Sequence, residues 1–513
     1  MLDQELLLTL KGALENITEA NETAVVIRNA AAVYNACKAV PTEKDRPDIL
    51  LGILNTSGLG QWPITNSSSR RFSNISEALE VTGPDPILSL YIERDAQELS
   101  SYVIQIDQVT FTTLGRNQLI HPYSEENQNI TEAYKKLIEV AVRFIKPNIS
   151  DVELNTIVCD VLLLERDLAN MTSPPEDRKN LLDIYHRTTI SEMECNFTNI
   201  PLLNLLNKEF SKANMTLNSS ETLELYALEY YQKLNEYICG INPETLFNYA
   251  GVRVVLSWAA DLSSEYRNAS FELNKVAWGV QTQKERWSQC ITYLSSGMRQ
   301  VIDYLYVKEK FSAEAKKEVT EYVNNITNVF RDDLNKSVWM DNNTRGAALD
   351  KLDKMRLKIG YPEEVLNITF LQESYKYVPE FNISDHFTNM YRYLYKNNDI
   401  LWHEKLRLAY DPKSWLVPVT AVDAFYNPSA NEMLYPSAIL QGLFYQHGLP
   451  STAGGLVWLT ELMSVRPGSQ DLPFSKRPII DSPQGALESP QMFFEMGTAA
   501  QEMICTVAVI AMA

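Results

Sequence analysis

Apolar residues recur at helical spacing in one segment after another of this chain, and that repetition limits the fold more than any single motif does. Ile130 to Ile145 and Asp151 to Asn170 read as amphipathic helices. The second opens at Ser150 with Glu153 three residues on, the pattern of a capping box. Glu176 to His186, Glu221 to Ile238, Pro243 to about Arg267, Lys284 to Lys310, Ser312 to Leu334, Asn343 to Ile359 and residues 385 to 408 continue the helical pattern, with Ser312 as a second N-cap. Leu6 to Leu14 and an Ala-rich stretch from Val25 to Val40 do the same near the start. Residues 55 to 75 are rich in Asn, Ser, Gly and Pro and read as loop. Ile87 to Glu93 reads as a strand, and so does Tyr102 to Gln108, which alternates at period two. The expected class is mainly α, a large multi-helix body with a few β-hairpins.

One hairpin stands apart from the helices. Val417, Val419, Val422, Phe425 and Tyr426 are strand formers, Asn427 to Asn431 is turn chemistry, and Met433 to Tyr435 resume an apolar run. The edge of such a hairpin can pair with an extended peptide through backbone hydrogen bonds. It can equally do no more than close a core.

A chain of 513 residues, 45% hydrophobic, is long enough for two or more domains. Three segments are expected: a helical body over 1–410, a unit carrying the hairpin over 411–450, and a Pro-punctuated tail over 451–513 that sustains neither helix nor central strand. The net charge of −19 argues against nucleic acid and anionic membrane surfaces as partners. No apolar run reaches the length of a membrane span. The N-terminus shows no signal-peptide pattern. Yet seventeen Asn-x-Ser/Thr sequons occur, the last at Asn382, a density that points to a secreted or luminal ectodomain whose true N-terminus lies upstream. Asn148 and Asn325 are taken as glycan acceptors. The six cysteines form no CxxC, which argues against a zinc ribbon or a thioredoxin-like site. G-x-S-x-G, P-loop and dinucleotide fingerprints are likewise missing.

Several blocks resemble the neprilysin and endothelin-converting-enzyme family of zinc metallopeptidases. The most specific is Trp339-Met-Asp-Asn-Asn-Thr through Ile359-Gly-Tyr-Pro362. Val422-Asp-Ala-Phe-Tyr-Asn427 and Asn431-Glu-Met-Leu-Tyr-Pro-Ser-Ala-Ile-Leu-Gln441 resemble the family's substrate-edge blocks, and together the likeness covers roughly residues 1 to 450. It implies the start of a zincin-like, thermolysin-like catalytic domain near the C-terminus. It also implies cleavage of short extracellular peptides inside a helical chamber that excludes folded proteins. By the same likeness Asp423 and Ala424 occupy the positions of a substrate-binding Asn-Ala pair, and Ile439 and Phe444 line the pocket for the residue after the scissile bond. Asp in place of Asn removes an amide donor and adds an acceptor-only carboxylate. The contexts Tyr34-Asn-Ala-Cys37 and Trp287-Ser-Gln-Cys290 resemble two family cysteines that bridge, so a Cys37–Cys290 disulfide is expected; Cys159, Cys195, Cys239 and Cys505 are unassigned.

The family's chemistry needs H-E-x-x-H, two imidazoles one helical turn apart on one zinc with the Glu as general base. The five histidines here are His121, His186, His386, His403 and His447, and no two are four apart. His403-Glu-Lys-Leu-Arg407 begins like the motif, precedes the hairpin, and reads as a solvated helix face; His447 reads as a loop residue. Thr460-Glu-Leu-Met-Ser464 resembles the motif with both histidines replaced, leaving Glu461 in a degenerate general-base position and Thr460 and Ser464 at the lost ligand positions, although the likeness is also of a kind chance produces. No third ligand is recognisable before Ala513. The tail then reads as a divergent splice end, a frameshifted reading or a truncated gene model. Zinc belongs to the family; none is expected for this chain alone. Two functions remain open: a neprilysin-like endopeptidase acting on short peptides but inactive as written, or a non-catalytic peptide-binding decoy ectodomain.

Overall fold

The computed structural model describes residues 2–445 apart from 19–21, 383, 428–429 and 442–444. Phe444, His447, Thr460, Glu461, Ser464, Cys505 and the tail 451–513 therefore lie outside the described residues. The chain is mainly α, as expected, with seven short strands in two small sheets among the described residues.

Helix starts follow the side-chain oxygens that cap them. Ser150 accepts a hydrogen bond from the Glu153 amide at the head of helix Asp151–Met171, and Ser312 accepts from the Ala315 amide at the head of Ala313–Lys336. The helix Gln128–Ile145 buries Tyr134, Leu137, Ile138 and Val142 along one face. Each such face needs a partner, and the helices supply one another's.

The core falls into three parts. A large one gathers side chains between Ile49 and Leu273 and is joined by Leu406. A second joins Leu2–Glu15 and Val25–Ala39 to the helices Arg286–Gly297 and Arg299–Lys310. A third lies under the second sheet, with Phe311, Val319, Val323, Ile359, Val419 and Ile439. The helix Phe387–Glu404 spans two of them: Phe387, Met390, Tyr391 and Leu394 pack in the second core, while Trp402 packs against the first.

The first sheet has the order β1-β2-β4-β3, with β1 Ser89–Arg94, β2 Tyr102–Asp107, β3 His186–Thr189 and β4 Thr222–Leu225. β1 and β2 are the two strands read from the sequence. β3 and β4 correct it. Glu176 to His186 is a 3-10 turn over Pro175–Arg178 and a four-residue helix, Leu181–Ile184, before His186 opens β3. Glu221 to Ile238 begins as β4, parallel to β2, and only Leu228–Tyr237 is α-helical. Two long helices also divide. Pro243–Trp258 stops where Ser263 caps a new helix, Ser264–Trp278. Lys284 to Lys310 breaks at Met298, beside Gly297, where a Cβ would lie 2.9 Å from the Tyr391 ring.

The second sheet carries the hairpin. β6 Phe425–Asn427 and β7 Glu432–Pro436 pair antiparallel, and β5 Arg356–Gly360 runs parallel to β7 on its other side, giving the order β5-β7-β6. Asn431 closes the turn with φ at +49°, a backbone region that Asn tolerates. The helix expected to reach Ile359 ends at Asp353, so that Leu357 and Ile359 enter β5. Of the strand formers ahead of the turn, only Phe425 and Tyr426 are in strand; Val417 and Val419 are buried in the approach loop.

Candidate functional site

β5 and β7 are held together by a buried carboxylate as well as by their backbones. Glu432 is fully buried, and its Oε2 accepts from Lys358 Nζ at 2.8 Å. Arg356 Nη2 lies 3.0 Å from Oε1, an ion pair outside hydrogen-bond alignment. Lys358 also donates to the Ser414 carbonyl, and Arg356 to the Ala430 carbonyl. A carboxylate removed from water needs such partners, and here both cations come from β5.

The loop that delivers the chain to β6 is fixed from the helix Arg299–Lys310. Arg299 donates to the carbonyls of Trp415 and Leu416, and Thr420 Oγ1 donates to Asp303 Oδ1 at 3.3 Å. Burial pushes the Asp303 carboxyl up to about 6, against the pull of Arg299 and hydrogen bonds from Val419 and Thr420. The Ser437 amide donates to the Gly360 carbonyl, while Ser437 Oγ and the Ala438 amide donate to the Val419 carbonyl. Sequence reasoning missed this frame. Lys358 between Leu357 and Ile359 was the available signal, a charge on one face of a period-two segment.

β6 is an outer strand of this sheet, and Asp423 and Ala424 lead directly into it. Both are half-buried, and Asp423 Oδ1 accepts from the Ala424 amide at 2.8 Å. The carboxylate thus occupies a backbone donor at the start of the edge strand, where an asparagine could also present N–H groups. Ile439 is buried in the third core beside Leu440. Tyr435 is half-buried on β7, and lost hydration around its hydroxyl pushes it up to about 12.

No group of three or more His, Cys, Asp or Glu side chains able to hold a metal occurs among the described residues, so they supply no donor set for zinc. His403 is buried rather than solvated, which corrects the sequence reading. Its Nδ1 lies 2.7 Å from the Asp399 carbonyl, and its ring stands edge-on to Phe210 and Trp402. The outward position of that turn belongs to Glu404, which accepts from Tyr377. Burial lowers the His403 pKa below its ordinary value, against the nearby Asp399 carboxylate. His386 caps Phe387–Glu404, accepting from the Thr388 amide at Nδ1, with Nε2 3.0 Å from Glu43. Neither is placed as a metal ligand.

The Cys37–Cys290 disulfide is present, joining Val25–Ala39 to Arg286–Gly297 across a sequence separation of 253. Cys159, Cys195 and Cys239 are exposed thiols. Sixteen of the seventeen sequon asparagines are described, Asn21 being the exception, and all sixteen are exposed, Asn148 and Asn325 included. Asn29, Asn248, Asn397 and Asn427, which carry no sequon, are buried. No described helix is long and apolar enough to cross a membrane.

The sequence profile of Peptidase family M13 matches residues 1–362. Neprilysin-1 of Trittame loki is 28% identical over 451 residues, covering 86% of this chain and 62% of that protein. Membrane metallo-endopeptidase-like 1 of Mus musculus is 29% identical over 88% of this chain and 60% of that one. Human neprilysin is 25% identical over 87% and 61%. The chain thus spans about three-fifths of the length of these relatives. The fold is similar to that of the Mycobacterium tuberculosis zinc metalloprotease Zmp1 in its open state, with a TM-score of 0.70 at 18% identity, covering 90% of this chain and 68% of that one. It is also similar to PepO from Lactobacillus rhamnosis, with a TM-score of 0.69 at 17% identity, covering 100% and 76%.

Proposed function

This chain belongs to Peptidase family M13, and we propose that it is the helical body and peptide-presenting edge of a neprilysin-like extracellular endopeptidase that handles short peptides. The observation that carries this reading is the placement of Asp423-Ala424 at the head of β6, an outer strand of a sheet whose other two strands are clamped together by Glu432, Lys358 and Arg356. An extended peptide added to such an edge gains backbone hydrogen bonds in a register that the hairpin sets. Ile439 and the undescribed Phe444 are proposed to shape the neighbouring pocket.

In relatives of this kind zinc would supply the activated water that attacks the peptide bond. The described residues offer it no site, and Thr460 and Ser464 are poor substitutes for imidazole, so residues 1–513 alone are proposed to bind peptide without cleaving it. The alternative, a dedicated non-catalytic peptide-binding ectodomain, is favoured by one observation, the carboxylate of Asp423 bound to its own neighbour's amide. The exposed sequon asparagines and the Cys37–Cys290 disulfide support an extracellular or plasma-membrane-ectodomain location.

Metal analysis beside a peptide-cleavage assay with and without chelator tests the activity. The expected result is no stoichiometric zinc and no chelator-sensitive cleavage. One zinc per chain with chelator-sensitive cleavage overturns it. Fluorescence anisotropy with an extended peptide and its backbone N-methylated counterpart tests the edge; equal binding of the two removes the strand-addition reading.

A further inference from the structure

Val338 and Trp339 are the two most exposed large apolar side chains among the described residues, at 97% and 79%. They sit on the short connection between Ala313–Lys336 and Asn342–Asp353, and that connection is built firmly. Arg345 Nη2 donates to the carbonyls of Ser337 and Met340. Asp341 caps the second helix, accepting from the amides of Asn343 and Thr344 at 2.9 and 3.0 Å. The loop therefore holds a large aromatic ring in water, at the cost that exposed apolar surface carries.

Three residues after Trp339 comes a sequon, Asn342-Asn-Thr344. Asn342 is exposed in the first turn of its helix, and its Oδ1 accepts from Arg345 Nη1 at 3.3 Å while its Nδ2 takes no part in that bond. Asn335, four residues before Trp339, opens a second exposed sequon on the other helix. A sugar ring presents a flat face of C–H groups carrying slight positive charge, which suits the negative face of an indole.

We propose that Asn342 is an N-glycosylation site whose first N-acetylglucosamine packs on Trp339 and covers Val338, so that the glycan serves as the missing wall of this apolar tip. In the transfer, Asn342 Nδ2 bonds to C1 of the reducing-end sugar of a lipid-diphosphate-linked oligosaccharide. The bond from C1 to the diphosphate oxygen breaks, the lipid diphosphate leaves with the electron pair, and the amide gives one proton to the transferase. In the folded chain Thr344 Oγ1 donates to Asp341 Oδ2 at 2.6 Å, so the hydroxyl that the sequon requires is engaged. Transfer therefore precedes formation of the cap, and the folded loop then brings ring and sugar together.

The proposal rests on the extracellular location given above. Its test is the full chain secreted from eukaryotic cells, with glycopeptides mapped and glycan release by peptide-N-glycosidase followed under native conditions. The expected result is an occupied Asn342 that releases its glycan more slowly than Asn148. Trp339→Ala should speed release at Asn342 several-fold and leave Asn148 unchanged, while Trp339→Tyr keeps the slow release. In Asn342→Gln, oxidative footprinting at Trp339 should rise. An empty Asn342 beside an occupied Asn148 overturns the proposal and leaves the location standing; no glycan at any site overturns both. A release rate indifferent to Trp339→Ala, or unchanged footprinting in Asn342→Gln, means that something other than this glycan covers the ring.

Discussion

Lys358 and Glu432 meet at 2.8 Å on neighbouring parallel strands, 74 residues apart in sequence, with both side chains withdrawn from solvent. Lys358→Met leaves Glu432 buried with only the misaligned Arg356 beside it. The expected loss is about 3 kcal/mol of unfolding free energy, read from urea midpoints at constant slope. The double variant Lys358→Met with Glu432→Leu should recover most of that loss, because it removes the stranded charge together with its partner.

Cys37 and Cys290 close a loop of 253 residues between two helices whose faces share one core. Replacing both with Ala is expected to cost about 2–5 kcal/mol, mainly by freeing the unfolded chain. Thermal unfolding of the double variant beside the oxidised parent measures it, and equal midpoints would count against the cross-link in solution.

Glu165 is buried among the helices of the first core and accepts from Tyr134 at 3.0 Å. Burial pushes its carboxyl up to about 7, only partly offset by Tyr134 and Arg253. Its protonated form is thus favoured by folding. The contribution is fully present below the ordinary carboxyl range and is lost as pH rises through about 7, of the order of 3 kcal/mol in all. Glu165→Gln should flatten stability against pH between about 4.5 and 7 relative to the parent. An unchanged slope would place the titration elsewhere.

Gly251 lies under Trp62, where a Cβ would come within 2.0 Å of the indole. That indole donates to the Asn248 carbonyl at 3.0 Å, and the Asn248 side chain bonds both the amide and the carbonyl of Ile64. Gly251→Ala therefore has no slack to use, and a loss of about 1–3 kcal/mol is expected. Denaturation followed by tryptophan fluorescence reads both the stability and the displaced ring.

The helices were legible where their signal is local. Ser150 and Ser312 announce their helices through side chains a turn or less from the amides they bind. The strands that escaped notice depend on partners far along the chain. Thr222–Leu225 pairs with Ile104–Ile106 on one side and His186–Thr189 on the other, and nothing near Leu223 reports either neighbour. Arg356–Gly360 follows closely on the helix Asn342–Asp353 and reads in sequence as its continuation up to the turn at Gly360, where φ is +75°. His403 was misread for a related reason. Its neighbours Glu404, Lys405 and Arg407 suggest a wet face, whereas Phe210, remote in sequence, makes it part of a core. At the hairpin, the Asn427–Asn431 turn and both strands of the pair could be read; the third strand and the clamp on Glu432 could not.

The parallel pairing of Arg356–Gly360 with Glu432–Pro436 also sets an order of events during synthesis. A hairpin can close as soon as its own turn has been made, but a parallel neighbour must wait for the whole intervening crossover. Here that crossover holds the helix Phe387–Glu404, which itself needs two cores to pack against. On a growing chain β5 is made first and stays unpaired until β7, beyond that crossover, has emerged. A variant that delays the packing of that crossover exposes an unsupported strand edge, and its expected fate in the cell is retention and aggregation.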